Sequence, residues 1–271
     1  EIIVMDGNFH GRTTTIVSFS TEPQYSYGFG PTTQGFRAVP FGDIEALNQA
    51  ITPHTAAILL EPIQGEGGII VPPQGWLTAV AQLCKQHNVL LLVDEIQTGL
   101  GRTGQLLACD YEAVKPDGLM LGKALGGGIL AVSLFLARAD VMDVFEAGDH
   151  GSTFGGNPLA ARIGLEALHI LEDEQLIQRA QQRGAYFVNK LHALQHPAIK
   201  DIRGKGLLLG LELHPAYNAR QLCENLLEQG LLTKDTHGTV IRLAPPLVIA
   251  ETEIDYAVSM IEKALADMSG G

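Results

Sequence analysis

Two residues placed where buried strands should end define the chemistry open to this chain. Lys123 stands in Leu119-Met120-Leu121-Gly122-Lys123-Ala124-Leu125-Gly126-Gly127-Gly128, between an apolar run and a glycine-rich stretch. Asp94 follows the run Val89-Leu90-Leu91-Leu92-Val93 and opens Asp94-Glu95-Ile96-Gln97-Thr98-Gly99. Short, continuous apolar runs of this kind read as strands covered on both faces. A lysine flanked by apolar residues and glycine would be costly to bury without a partner. A carboxylate and an amine at the ends of two core strands suit a pyridoxal phosphate site, which needs a Schiff-base lysine and an acid for the pyridine nitrogen. Asp94 also fits a plainer role as a helix N-cap or loop carboxylate. A third residue, Arg242 in Val240-Ile241-Arg242-Leu243-Ala244, sits in a strand-like apolar setting. Its planar fork suits a carboxylate.

The elements that must position these residues alternate along the chain. Residues 1–5 and 56–60 read as buried strands, the second ending at Glu61-Pro62. Residues 75–87 have helical spacing, with Trp76, Leu77, Val80, Leu83 and Cys84 as the apolar stripe. Residues 129–136 read as a further strand and 139–146 as a short helix. Pro158 opens a long helix toward Leu171, in the first turn where proline is at ease. Another helix runs to about Leu194. The remainder, 199–268, reads as strand, helix, strand pair and closing helix. The reading is therefore α/β, with a large domain over residues 1–175 and a smaller α+β domain over 176–271.

Composition narrows the function classes. A formal net charge of −12 would repel nucleic-acid phosphates. No apolar stretch reaches the length of about 18 residues that a membrane helix requires. Cys84, Cys109 and Cys223 are odd in number and form no CxxC pair, which favours a reduced, cytoplasmic setting. The nine histidines show no metal-ligand spacing, so no metal is expected. Gly126-Gly127-Gly128 is no phosphate-binding P-loop, because the lysine precedes the glycines.

Six blocks, in order, resemble the class III, or omega, aminotransferase family. They are Gly7-Asn8-Phe9-His10-Gly11-Arg12-Thr13, Glu61-Pro62-Ile63-Gln64-Gly65-Glu66, Asp94 through Gly104, Gly122 through Gly128, Gly151-Ser152-Thr153-Phe154-Gly155-Gly156-Asn157-Pro158 and Arg203-Gly204-Lys205-Gly206. Thr236-His237-Gly238-Thr239-Val240-Ile241-Arg242-Leu243-Ala244-Pro245-Pro246-Leu247 is similar to the ornithine-type members. The resemblance implies the fold type I architecture, a mixed and mostly parallel sheet flanked by helices, with pyridoxal 5′-phosphate as cofactor. It implies Lys123 as the covalent anchor and proton carrier, and Asp94 at the pyridine nitrogen. Gln97 would lie near the ring oxygen, Phe9 would stack on the ring, and Thr153 would reach the phosphate held by a partner subunit, making a homodimer with a shared site. Arg242 would take the substrate's α-carboxylate, Glu66 would cover Arg242 when no dicarboxylate is present, and Arg12 would bind the other carboxylate. Phe9 also fits simple core packing, and Glu66 a turn in Gly65-Glu66-Gly67-Gly68.

The implied reaction moves the δ-amino group of ornithine to 2-oxoglutarate, an exchange between an amino acid and a 2-oxo acid. Acetylornithine or another ω-amine is the alternative donor on the same scaffold. In the family a long segment carrying the phosphate loop precedes the Gly7–Thr13 block, so the resemblance implies that this chain is part of a longer enzyme. The alternative of another class is a catalytically silent fragment that serves as a binding domain.

Overall fold

The computed structural model describes residues 1–269; Gly270 and Gly271, at the end of the expected second domain, lie outside the described residues. Six strands, β1 (Ile2–Met5), β2 (Phe36–Val39), β3 (Ala57–Leu60), β4 (Leu90–Asp94), β5 (Gly118–Leu121) and β6 (Leu134–Ala137), form one sheet in the order β2-β1-β3-β4-β5-β6. Every neighbouring pair is parallel except β5 and β6, which are antiparallel. The helices of this part of the chain are α1 (Thr14–Val17), α2 (Pro23–Ser26), α3 (Ile44–Ala50), α4 (Trp76–His87), α5 (Ala139–Met142) and α6 (Pro158–Asp173), of which α3 packs on β2 and α4 on β4. Ile3, Met5, Ile58, Leu60, Leu91 and Val93 pack with Trp76, Leu77, Val80, Leu83 and Cys84 of α4 in one core. The stripe read from the sequence is thus the buried face of α4. Burial on both faces explains why these strands are written as unbroken apolar runs.

A second sheet follows α7 (Leu176–Ala193). It comprises β7 (Ile199–Lys205), β8 (Leu208–Leu213), β9 (Lys234–Thr236) and β10 (Val240–Leu243), in the order β7-β8-β10-β9, and all its pairs are antiparallel. α7, α8 (Ala219–Glu228) and α9 (Glu251–Ser269) share its core, where Phe187, Leu191, Leu211, Leu222, Ile241 and Ile261 meet. The β7–β8 turn at Gly206, with φ +52, touches the first unit: a Cβ there would lie 2.3 Å from the Thr103 carbonyl carbon. Only glycine allows that approach. No described helix is long and apolar enough to cross a membrane.

Three elements differ from the sequence reading. Pairing of the 129–136 run starts only at Leu134, because Ile129 and Leu130 still turn back onto the Gly126 carbonyl. The 139–146 helix ends at Met142, where the Asp143 N–H closes on the Ala139 carbonyl. The first strand of the C-terminal unit is a hairpin, β7 and β8, folded at Gly206.

Parallel strands all point the same way, so the residues after β1, β3, β4 and β5 emerge along one edge, where open α/β sheets bind ligands. That edge collects Phe9, His10, Glu61, Glu66, Asp94 and Lys123.

Candidate active site

Asp94, the last residue of β4, is buried, and both of its oxygens are engaged. Oδ1 accepts from the Ile96 N–H at 3.0 Å, and Oδ2 lies 2.8 Å from His10 Nδ1. An ionised Asp94 fixes the tautomer, since Nδ1 must then donate. His10 is almost wholly enclosed, and its Nε2 has no partner. One strand over, Glu61 follows β3 and accepts from the Phe9 N–H at 3.1 Å and the Gly65 N–H at 3.3 Å. Burial pushes its pKa up to about 7, against the lowering charge of His10 and with a further rise from Asp94. Glu95 points away from the site, accepting from the Cys109 N–H at 2.8 Å and from the Thr98 hydroxyl.

Lys123 follows β5 with φ +45, a left-handed conformation that a non-glycine side chain adopts at a cost. Such strain concentrates at functional sites. Its surface is open to solvent, yet protein crowds the amine closely enough that desolvation lowers its pKa. Glu66 opposes that lowering, Arg242 adds to it, and Asp94 and Glu61 are near enough to oppose it as well. An amine so perturbed is more nucleophilic at neutral pH.

Glu66 joins the two sheets. Its Oε1 accepts from Arg242 Nη1 at 2.5 Å and from Gln97 Nε2 at 3.3 Å, while its Oε2 accepts from Lys234 Nζ at 2.7 Å. Gln97 Oε1 in turn accepts from Arg242 Nη1 at 3.2 Å. Burial alone would raise the Glu66 pKa, but the hydrogen bonds and charges of Lys234 and Arg242 hold it down at about 2. The hairpin that carries Glu66 is closed by Gln64 and Ile70. It is fastened from the second sheet by Arg203, which donates to the Gly68 and Ile69 carbonyls, and by Thr236 Oγ1, which donates to the Glu66 carbonyl at 2.5 Å. Close packing against the first sheet is needed too: a Cβ on Gly67 would lie 2.8 Å from the Gly7 carbonyl oxygen.

Phe9 meets Tyr25 edge-on, with ring centroids 5.5 Å apart. The exposed Arg12 guanidinium lies 4.5 Å from the Tyr25 centroid and 5.7 Å from that of Phe9, within cation–π range. Phe9, Tyr25, Glu66, Lys234 and His237 line a cleft of about 380 Å³. Thr153 lies apart, on the exposed loop before α6, and no hydrogen bond or ion pair among the described residues joins it to the others. The structure therefore gathers Phe9, Arg12, Glu66, Asp94, Gln97, Lys123 and Arg242 and leaves Thr153 outside. It adds His10, Glu61, Lys234 and Thr236, to which sequence reasoning gave no role; His10, Glu61 and Thr236 carried a signal by their places in the quoted blocks, and Lys234 carried none. A perturbed amine with an anchored carboxylate and a flat aromatic wall fits a ring carrying an aldehyde at one end and a basic nitrogen at the other.

The family described as Aminotransferase class-III matches residues 1–265. An ornithine aminotransferase of Brevibacillus brevis is 56% identical over 265 residues, covering 98% of this chain and 66% of the relative. The ornithine aminotransferase of Toxoplasma gondii, whose structure has partial occupancy of PLP at its active site, superimposes with a TM-score of 0.96 at 46% identity. That match covers 100% of this chain and 65% of the other. An acetylornithine aminotransferase from Elizabethkingia anophelis matches with a TM-score of 0.85 at 47% identity, over 98% of this chain and 67% of its own. The chain thus spans about two thirds of the length of the relatives it matches.

Proposed function

The chain belongs to the class-III aminotransferase family, and from that premise we propose that it transfers the δ-amino group of ornithine to 2-oxoglutarate, giving glutamate semialdehyde and glutamate. The observation that carries this reading is the Glu66–Arg242 contact beside Lys123. Its mixed, mostly parallel sheet is that of the fold type I transferases. Pyridoxal 5′-phosphate would supply the electron-accepting ring through which an amino group is exchanged for a carbonyl.

Within that site Lys123 Nζ would hold the aldehyde end and, when free, would carry a proton away from the substrate carbon. Asp94, locked by His10 and the Ile96 N–H, would keep the ring nitrogen protonated. Phe9 would lie against the ring face, Gln97 would serve its oxygen, and Thr153 would serve the phosphate of the cofactor in the partner subunit of a homodimer working in the cytoplasm. Ornithine must present its distal amine, so its α-carboxylate has to be kept off Arg242. Glu66 does this by occupying the guanidinium. When 2-oxoglutarate or glutamate enters, Arg242 takes its α-carboxylate and Arg12 the other.

The likeness to the Elizabethkingia enzyme supports a second reading, with acetylornithine as the donor. A donor panel with 2-oxoglutarate on the complete enzyme decides between them. Ornithine should give the highest kcat/KM, and a clear preference for acetylornithine or another ω-amine would overturn the first reading.

A further inference from the structure

In the antiparallel pair β9–β10, Lys234 lies directly opposite Arg242. Like charges in that register destabilise a strand pair. Here one carboxylate neutralises both, since Glu66 meets Arg242 through Oε1 and Lys234 through Oε2. The two cations are not equivalent. The Arg242 side chain is 20% exposed and that of Lys234 is 58% exposed, at the mouth of the cleft. Neighbouring acids are occupied elsewhere: Asp235 pairs with Arg220, and Glu22 lies 3.6 Å from His237. The backbone of Glu66 is held by Thr236, so a change of partner at Arg242 has to be made by the side chain.

A carboxylate displaced from Arg242 with no second partner would be left as an uncompensated, half-buried charge, which is strongly unfavourable. We propose that Lys234 is a positioning residue that retains Glu66 when a dicarboxylic 2-oxo acid claims Arg242. It thereby sets how readily the site accepts dicarboxylates. The proposal rests on the ornithine reading above and adds a residue to it. Lys234 does not touch the substrate; it acts through Glu66, and its solvent exposure limits its effect to a few-fold.

The test measures the two half-reactions separately by rapid-mixing absorbance, in the cofactor-loaded complete enzyme and its Lys234→Gln and Lys234→Arg variants. In Lys234→Gln the KM for 2-oxoglutarate should rise about two- to fivefold, as expected for an exposed pair. The maximal rate of that half-reaction and the kcat/KM for ornithine should change less than this KM does. Lys234→Arg should recover most of the loss, and the gap between wild type and Lys234→Gln should narrow at ~1 M salt, where screening is short-ranged. An unchanged KM for 2-oxoglutarate, or equal losses in both half-reactions, overturns the proposal and leaves the ornithine reading standing. A wild-type enzyme that fails to take the δ-amine of ornithine overturns that reading, and the role of Lys234 with it.

Discussion

Glu66 holds Arg242, Lys234 and Gln97 at once, so removing its charge should be felt first in the direction a substrate faces. In Glu66→Ala the bared Arg242 should draw the α-carboxylate of ornithine and turn the molecule end for end. Close charge pairs of this type are worth roughly 2–5 kcal/mol when one partner is cut away, enough to shift regiochemistry more than tenfold. Product analysis should show new transfer from the α-amine, with 2-oxoglutarate handled nearly as before; unaltered δ-selectivity would leave Glu66 a turn residue. Glu61 offers a different readout. Its pKa rises from 4.5 to about 7 on folding, so the folded state holds the proton more tightly. Its stabilising contribution is therefore complete below about pH 4.5 and is lost as pH climbs through 7. The stability of wild type relative to Glu61→Gln should fall by about 3 kcal/mol between pH 4.5 and 8, measured by urea unfolding. A pH-independent difference would mean that folding leaves the pKa of this carboxyl unshifted.

At the scale of elements, the 64–70 hairpin decides how well the site is aligned. Ile69 is fully buried at φ +53, a strained setting for a β-branched residue, and Gly67 leaves no room for a side chain against Gly7. Gly67→Ala should force the hairpin off the Phe9 loop, costing about 1–3 kcal/mol as overpacking does. It should also loosen the δ-selectivity toward ornithine through a shifted Glu66. An unchanged Tm together with an unchanged δ-selectivity would refute this. Much of the frame was legible in the sequence because burial on both faces, or along one helical stripe, writes a pattern: β1, β3, β4 and α4 each carry one. β6 was overextended because its apolar residues, Leu134, Phe135 and Leu136, stay exposed, so hydrophobicity did not mark where pairing begins. The β7–β8 turn hid inside a motif whose glycine signals a bend only once Thr103 is seen against it. In the site, Lys123, Asp94 and Arg242 stood out as polar residues in apolar settings. Glu61, Lys234 and Thr236 did not, because their roles come from partners that the fold delivers from another strand or the other sheet.

At the scale of the molecule, two cores meet along a polar seam. Arg102 donates to the Leu207 carbonyl at 3.1 Å and to the Pro245 carbonyl at 2.5 Å, while its own carbonyl accepts from the Leu207 N–H at 3.0 Å. Burial, with the nearby charge of Arg242, brings its pKa down to about 10. Arg102→Met would leave two carbonyls short of a charged donor, a loss of roughly 3 kcal/mol. Urea denaturation should then broaden or split, with the second sheet's core departing from the first; a single transition at the wild-type midpoint would show that the seam does not couple them. The seam also divides labour. Lys123 and Asp94, which would perform the bond chemistry, rise from strand ends of the six-stranded sheet, whereas Lys234 and Arg242, which would sort carboxylates, sit on β9 and β10 of the other. Substitutions on that small antiparallel pair can alter which amino and oxo acids are admitted without disturbing the residues that react, so a lineage built on this chain is free to change its diet while its chemistry stays inherited.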